Sequence, residues 1–126
     1  MPQEGTDKTD ENPVNPAATY NYYMPNTPSM AQWEALVREL ATDSGRIFFT
    51  RHATERMRQR GVTHAQVLEV LQRGVIRCEP EPDMKTGHTL CRMERHIAGR
   101  SVGAVVALQS AQADSGAVVT VMLIGG

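Results

Sequence analysis

"RHATERMRQRGVTHAQVLEVLQRGVIRCE", residues 51–79, holds two helix signatures and then a change of period. Thr50 stands as an N-cap before the first and Gly61 as its stop. Thr63 and Gln66 form a capping box for the second, with Val62 and Val67 placed as a hydrophobic staple. Val67, Leu68 and Leu71 make an apolar stripe at helical spacing, Glu69 and Arg73 stand at i,i+4, and Gly74 supplies the stop. From Val75 to Glu79 the apolar period is two instead of 3.6, which predicts a short strand closed by "PEPD".

The pattern downstream stays extended. Between His88 and Ile97, one face carries Thr89, Cys91, Met93 and Ile97, and the other His88, Arg92, Glu94 and His96. "AGR" (Ala98–Arg100) predicts a turn. Val102–Leu108 and Val118–Ile124 are apolar on both faces, which predicts strands buried on both sides at the centre of a sheet. "SAQADSG" is long enough for a hairpin with a wide tip. Upstream, Ser29 and Gln32 form another capping box, and Trp33, Leu36, Val37, Leu40 and Ala41 follow at helical spacing, with Gly45 as the stop. Ile47–Phe49 reads as a brief strand or anchored turn. The fold class is therefore α+β: N-terminal helices packed on an antiparallel sheet of about four strands.

Residues 1–28 have a different composition, with five prolines, four acids and one lysine. So polar a segment buries too little apolar surface to offset the entropy of ordering, so the expected division is a disordered acidic, Pro-rich tail (1–28) and one α+β domain (29–126). Its "TYNYYMP" is a sticky element, fit to dock on a partner or neighbouring subunit.

Composition excludes several classes. No apolar run approaches the roughly 18–20 residues that span a bilayer. The first residues hold no apolar signal core, so the expected location is cytoplasmic and the two cysteines, Cys78 and Cys91, are expected reduced. No zinc spacing occurs, and no metal or cofactor is expected. The net charge of −1 hides an uneven layout: residues 46–60 hold five Arg against one Glu. Such a patch attracts phosphate.

On a helical wheel of about 100° per residue, His52, Arg56, Gln59 and Arg60 share roughly one third of the circumference, beside Ala53 and Met57 on the core side. Arg51, Glu55 and Arg58 point elsewhere. Two arginines one turn apart repel, so an anion should lie nearby. It is either a protein carboxylate (Glu79, Glu81, Asp83 or Glu94) or a ligand phosphate. His64, early in the second helix, is expected at the surface.

The stretch "RHATERMRQRGVTHAQVLEVLQRGVI" resembles the bacterial family known as domain of unknown function 4258. The pattern is the His52-Ala53 pair, Arg56, Arg60 ahead of Gly61-Val62-Thr63, and a helix ending at Gly74. The later "VGAVVAL" and "VVTVMLI" resemble that family's last two strands. The likeness covers residues 47–124 and leaves out the tail and the Trp33 helix. It implies a fold similar to the RelE and MqsR toxins, small metal-independent ribonucleases, although fold alone does not fix function.

Metal-free RNA cleavage needs a base for the 2′-hydroxyl, cations for the phosphorane and an acid for the leaving oxygen. His52 suits a proton role, and Arg56 and Arg60 suit phosphate. A second donor would come from the sheet, where His88, His96, Arg92 and Thr120 are candidates. The expected catalytic set is His52, Arg56, Arg60, His96 and Thr120, with Arg51, Arg56, Arg58, Arg60 and Arg92 on nucleic acid. The expected function is an RNA-cleaving toxin whose partners are RNA and an antitoxin or immunity protein. The alternatives are a non-catalytic nucleic-acid-binding accessory module of phage or plasmid type using the same patch, and a protein-interaction domain with structural arginines. Aromatics make up 5% of the chain and do not interleave with basic residues, which argues against a stacking single-strand binder.

Overall fold

The computed structural model describes residues 27–125; the expected tail, apart from Thr27 and Pro28, and the "TYNYYMP" element lie outside them. The first helix, α1 (Met30–Ala41), starts where Ser29 and Gln32 close both halves of their capping box. It ends at Ala41 with Thr42 as cap, four residues before the expected Gly45 stop, because Asp43 caps a single 3-10 turn over Ser44–Arg46 instead. Strand β1 (Ile47–Phe49) follows, then α2 (Arg51–Arg60) and α3 (His64–Arg73). Thr50 accepts the Ala53 N–H to open α2, and Gly61 closes it at φ 66°, in the left-handed region that glycine takes without a Cβ penalty. Thr63 and Gln66 form the second capping box, and the staple residues Val62 and Val67 are both buried.

Strands β2 (Val75–Ile76), β3 (Glu81–Pro82), β4 (Thr89–Ile97), β5 (Arg100–Leu108) and β6 (Gly116–Ile124) complete the chain. The sheet order is β1-β6-β5-β4-β2, with β3 also paired to β4. The expectation of about four antiparallel strands is corrected to six strands in a mixed sheet. β1 lies parallel to β6, Ile47 opposite Gly116 and Phe49 opposite Val118, while the other pairs are antiparallel. Parallel pairing needs a long connection, and two helices and four strands lie between β1 and β6. The expected Val75–Glu79 strand is shorter, since the chain leaves β4 after Ile76 and rejoins it at Glu81. Arg100 belongs to β5, so the hairpin turn is only Ala98–Gly99, at φ 52° and 80°. Two positive φ values match the right-handed twist of a tight hairpin.

The helices cover one face. α2 packs on β6, α3 on β4 and β5, and α1 on α3 and β2. The core joins Trp33, Val37 and Leu40 of α1, Ala53 and Met57 of α2, and Val67, Val70 and Leu71 of α3 to the inward residues Cys91, Met93, Val106, Leu108, Val118 and Val121. Strand alternation turns Leu90, Arg92, Val105, Thr120 and Met122 to the opposite face. No helix among the described residues covers that face. This corrects the expectation that β5 and β6 are buried on both sides: outward Val105 and Met122 are only half-buried.

The helix C-termini share a device absent from the local sequence. Gln72 Nε2 donates to Ala41 O (2.7 Å) at the end of α1, and Arg38 donates twice to Gly74 O (2.7 and 3.1 Å) after α3. Arg100 does the same for α2. Long-range side chains thus satisfy carbonyls that a helix end leaves without partners. Gly74 is required by packing: at φ −78° its backbone is ordinary, but a Cβ there would meet Val70 O and lie 2.7 Å from Glu94 O.

Candidate functional site

The α2 edge forms as the wheel requires. Ala53 and Met57 are buried against β6, which leaves His52 and Arg51 exposed and Arg56 and Arg60 half-exposed. His52 and Arg56 meet: Arg56 Nε donates to His52 Nε2 at 3.4 Å, and Arg56 Nη1 donates to Gln59 Oε1 at 2.8 Å. A guanidinium has no acceptor, so the imidazole nitrogen at this contact is the lone-pair nitrogen. At 3.4 Å the contact is long and weak. Thr50 ties the start of the helix to β6, its hydroxyl donating to Val118 O at 3.1 Å.

The carboxylates that could have neutralised this edge are engaged elsewhere or distant. Glu94 holds Arg92 (2.9 Å) and Arg77 (3.6 Å) on the other face of the sheet. Glu69 holds Arg95 (3.3 Å), not Arg73 as its i,i+4 spacing suggests, because β4 brings Arg95 up to α3. Within α2, Glu55 reaches Arg58 only at 4.0 Å, an exposed pair of little energetic weight. Among the described residues, Arg51, Arg56 and Arg60 have no ion-pair partner. Arg60 contributes its carbonyl to the Arg100 contact.

The sheet residues expected to complete the site lie apart from α2. Arg92, Val105 and Thr120 form one row across β4, β5 and β6, on the face away from the helices. Arg92 and Thr120 line a hollow of about 300 Å³ there with Cys78, Glu79, Glu81, Leu90, Val119 and Met122. Arg92 is already paired with Glu94, and its Nε, although 2.9 Å from the carboxylate, is not aimed along a hydrogen bond. His96 stands four residues further along β4, about 13 Å in an extended strand. There its Nδ1 lies 3.3 Å from Ser101 Oγ, in a separate hollow beside Arg100. A third hollow takes His88, with Phe48 and Ala117. None of these three hollows is lined by His52, Arg56 or Arg60. The structure thus joins His52 to Arg56 in one contact and Arg92 to Thr120 in one hollow, and puts His96 in another hollow, whose Arg100 reaches the backbone of Arg60. His64 is exposed, as expected, with its ring set edge-on to Phe49 at 4.4 Å.

Two features at the sheet hollow escaped the sequence. The β5–β6 register shifts between Val105 and Val106, so Val119 and Thr120 together oppose a single residue and both reach the hollow. Cys78 and Glu79 stand at its margin although they are not in a strand; "RCEPEPD", with two prolines and no alternation, was the only signal for a segment that leaves the ladder. The Cys91 thiol is buried and desolvation pushes its pKa up to about 12. Among the described residues no group of three or more His, Cys, Asp or Glu could hold a metal ion, and no helix is long and apolar enough to cross a membrane.

No curated protein and no solved structure matches the chain. The sequence profile of a family described as Domain of unknown function (DUF4258) matches residues 49–123, from the end of β1 through β6, so that α1 stands outside the match while sharing its core. The match spans more than half of the sequence, and the chain belongs to that family.

Proposed function

We propose that this protein is a metal-independent endoribonuclease of the toxin type, similar to RelE and MqsR, acting from α2. The observation that carries the reading is the His52–Arg56 contact on a basic edge where no carboxylate among the described residues neutralises Arg56. A phosphodiester arriving at this edge takes the Arg56 fork, which draws the guanidinium off the imidazole and frees Nε2. His52 Nε2 then removes the 2′-hydroxyl proton, the 2′-oxygen attacks phosphorus, and Arg56 with Arg60 stabilises the added negative charge. The P–O5′ bond breaks, and the His52 imidazolium returns its proton to the leaving 5′-oxygen. One imidazole serves both proton steps, because His96 and Thr120 lie in other parts of the fold. The products are a 2′,3′-cyclic phosphate and a 5′-hydroxyl. An antitoxin or immunity partner covers the basic edge with acidic residues.

Expression in a bacterial host tests the reading. Induced wild-type protein arrests growth, and His52→Ala or Arg56→Ala relieves the arrest at equal protein level. Growth unaffected by the wild-type protein counts against it. The second reading, a nucleic-acid-binding accessory module, draws support from one observation: none of the three hollows is lined by His52, Arg56 or Arg60, whose edge is an exposed surface. It predicts RNA binding that weakens steeply with salt and leaves the RNA intact.

A further inference from the structure

We infer that the hollow beside Arg100 is a phosphate-binding subsite that continues the α2 edge and holds a further backbone phosphate of the RNA strand, a role that rests on the reading of α2 as an RNA site. His96, Arg100 and Ser101 line this hollow with the end of β6, around a volume of about 370 Å³. No carboxylate is among its lining residues, whereas Glu79 and Glu81 border the hollow of Arg92 and Asp114 borders that of His88. Of the three, this is the one whose charge suits an anion.

The path of the chain puts the hollow in line with α2. Thr50 ties the start of α2 to Val118, near the start of β6. Arg100, the first residue of β5, ties its end through Arg60 O and Gly61 O. The next residue, Ser101, lies opposite Ile124 at the end of β6. The helix therefore runs along β6 toward the hollow. From His52 to Arg60 it rises about 12 Å. A strand held by Arg56 and Arg60 and continuing in this direction arrives at Arg100, His96 and Ser101. His96 and Ser101 face each other across β4 and β5, with Nδ1 3.3 Å from Oγ. If Nδ1 carries the proton, it donates to Oγ and the hydroxyl proton is free for a ligand. If the hydroxyl donates to Nδ1, the Nε2–H is free instead. Either tautomer thus leaves one donor for a phosphate oxygen. The Arg100 Nη groups are held by the helix carbonyls, and the charge they carry adds to the attraction.

Binding of a 2′-O-methyl oligonucleotide of about ten residues, which has no 2′-hydroxyl to attack, reads the subsite without cleavage. A single substitution leaves one donor, so the full chain is compared with its His96→Ala, Ser101→Ala double variant. The double variant should bind about tenfold more weakly, the loss of a hydrogen bond to a charged group. Ser101→Glu, which brings a carboxylate into the hollow, should weaken binding further. A 2′-O-methyl dinucleotide, too short to reach the hollow from Arg56, should bind wild type and double variant alike. Equal affinity of the two proteins for the longer oligonucleotide overturns the inference and leaves the His52 chemistry standing. An equal loss for the dinucleotide overturns it as well, because the change then acts through α2. Weaker binding by the double variant, with unmodified RNA left intact by wild type, supports the subsite and overturns the cleavage reading. No binding of the longer oligonucleotide by wild type overturns the subsite.

Discussion

The guanidinium of Arg100, at the start of β5, closes the C-terminus of α2: Nη1 donates to Arg60 O at 2.6 Å and Nη2 to Gly61 O at 2.8 Å. A cation at this end also meets the negative pole of the helix. The fork fixes α2, and with it His52 and Arg56, against the sheet. Hydrogen bonds to a charged group contribute about 1.5–3 kcal/mol, so Arg100→Ala should cost about that much in urea unfolding. Arg100→Lys should recover only part, because an ammonium lacks the fork.

Gly61 and Gly74 end successive helices for different reasons, and alanine should separate them. Gly61→Ala meets only an ordinary contact, Arg100 Nη1 at 3.8 Å, and costs about 1–2 kcal/mol from the left-handed backbone alone. Gly74→Ala has no backbone penalty, but its Cβ runs into Val70 O and Glu94 O. Neither carbonyl can rotate away, so the cost should reach about 3 kcal/mol, the upper end for overpacking. Equal losses would mean that α3 tilts freely off β4.

Thiol counting checks the core. Cys91 is fully buried, with its pKa raised to about 12 by desolvation, so the thiolate that reacts is scarce in the folded state. A thiol reagent at neutral pH should modify Cys78 in native protein and both cysteines only in denaturant. Native modification of both would place Cys91 outside the core.

The loop before β4 should respond to acid. The Lys85 N–H donates to Asp83 Oδ1 at 3.0 Å, and this contact, the largest cause, holds the Asp83 carboxyl below its ordinary pKa. A depressed folded pKa contributes stability that is full above the unfolded value and lost as pH falls through the folded one. Asp83→Asn keeps an acceptor and cannot titrate. Between about pH 5 and about pH 3 its melting temperature should therefore fall less than that of the wild type. Parallel declines would show that the contact does not couple to folding.

Local chemistry made the helices legible: Ser29 with Gln32, Thr50 with Gly61, and Thr63 with Gln66 each announce a boundary within a few residues. Strand β4 followed from its alternation and β5 from an apolar run after the "AGR" turn, of which Arg100 proved to belong to the strand. Long-range choices were not legible. Nothing near Ile47 says that it pairs parallel to Gly116, and nothing near Glu69 says that Arg95 displaces Arg73. At the candidate site, the wheel placed His52 beside Arg56 because one helix sets both positions. It could not place Thr120 or His96 relative to them, since sheet order and a bulge at Val119 decide which face and which hollow they enter.

RNA cleavage in the presence of EDTA tests the proposed chemistry of His52 and Arg56 most directly. Purified wild type should cut RNA with the chelator present, leaving cyclic phosphate ends. His52→Ala and Arg56→Ala, both folded, should each lose about 10²-fold or more, the scale of a general base or of a preorganised cation. Intact RNA with the wild type, or cleavage that either variant retains in full, would contradict the account.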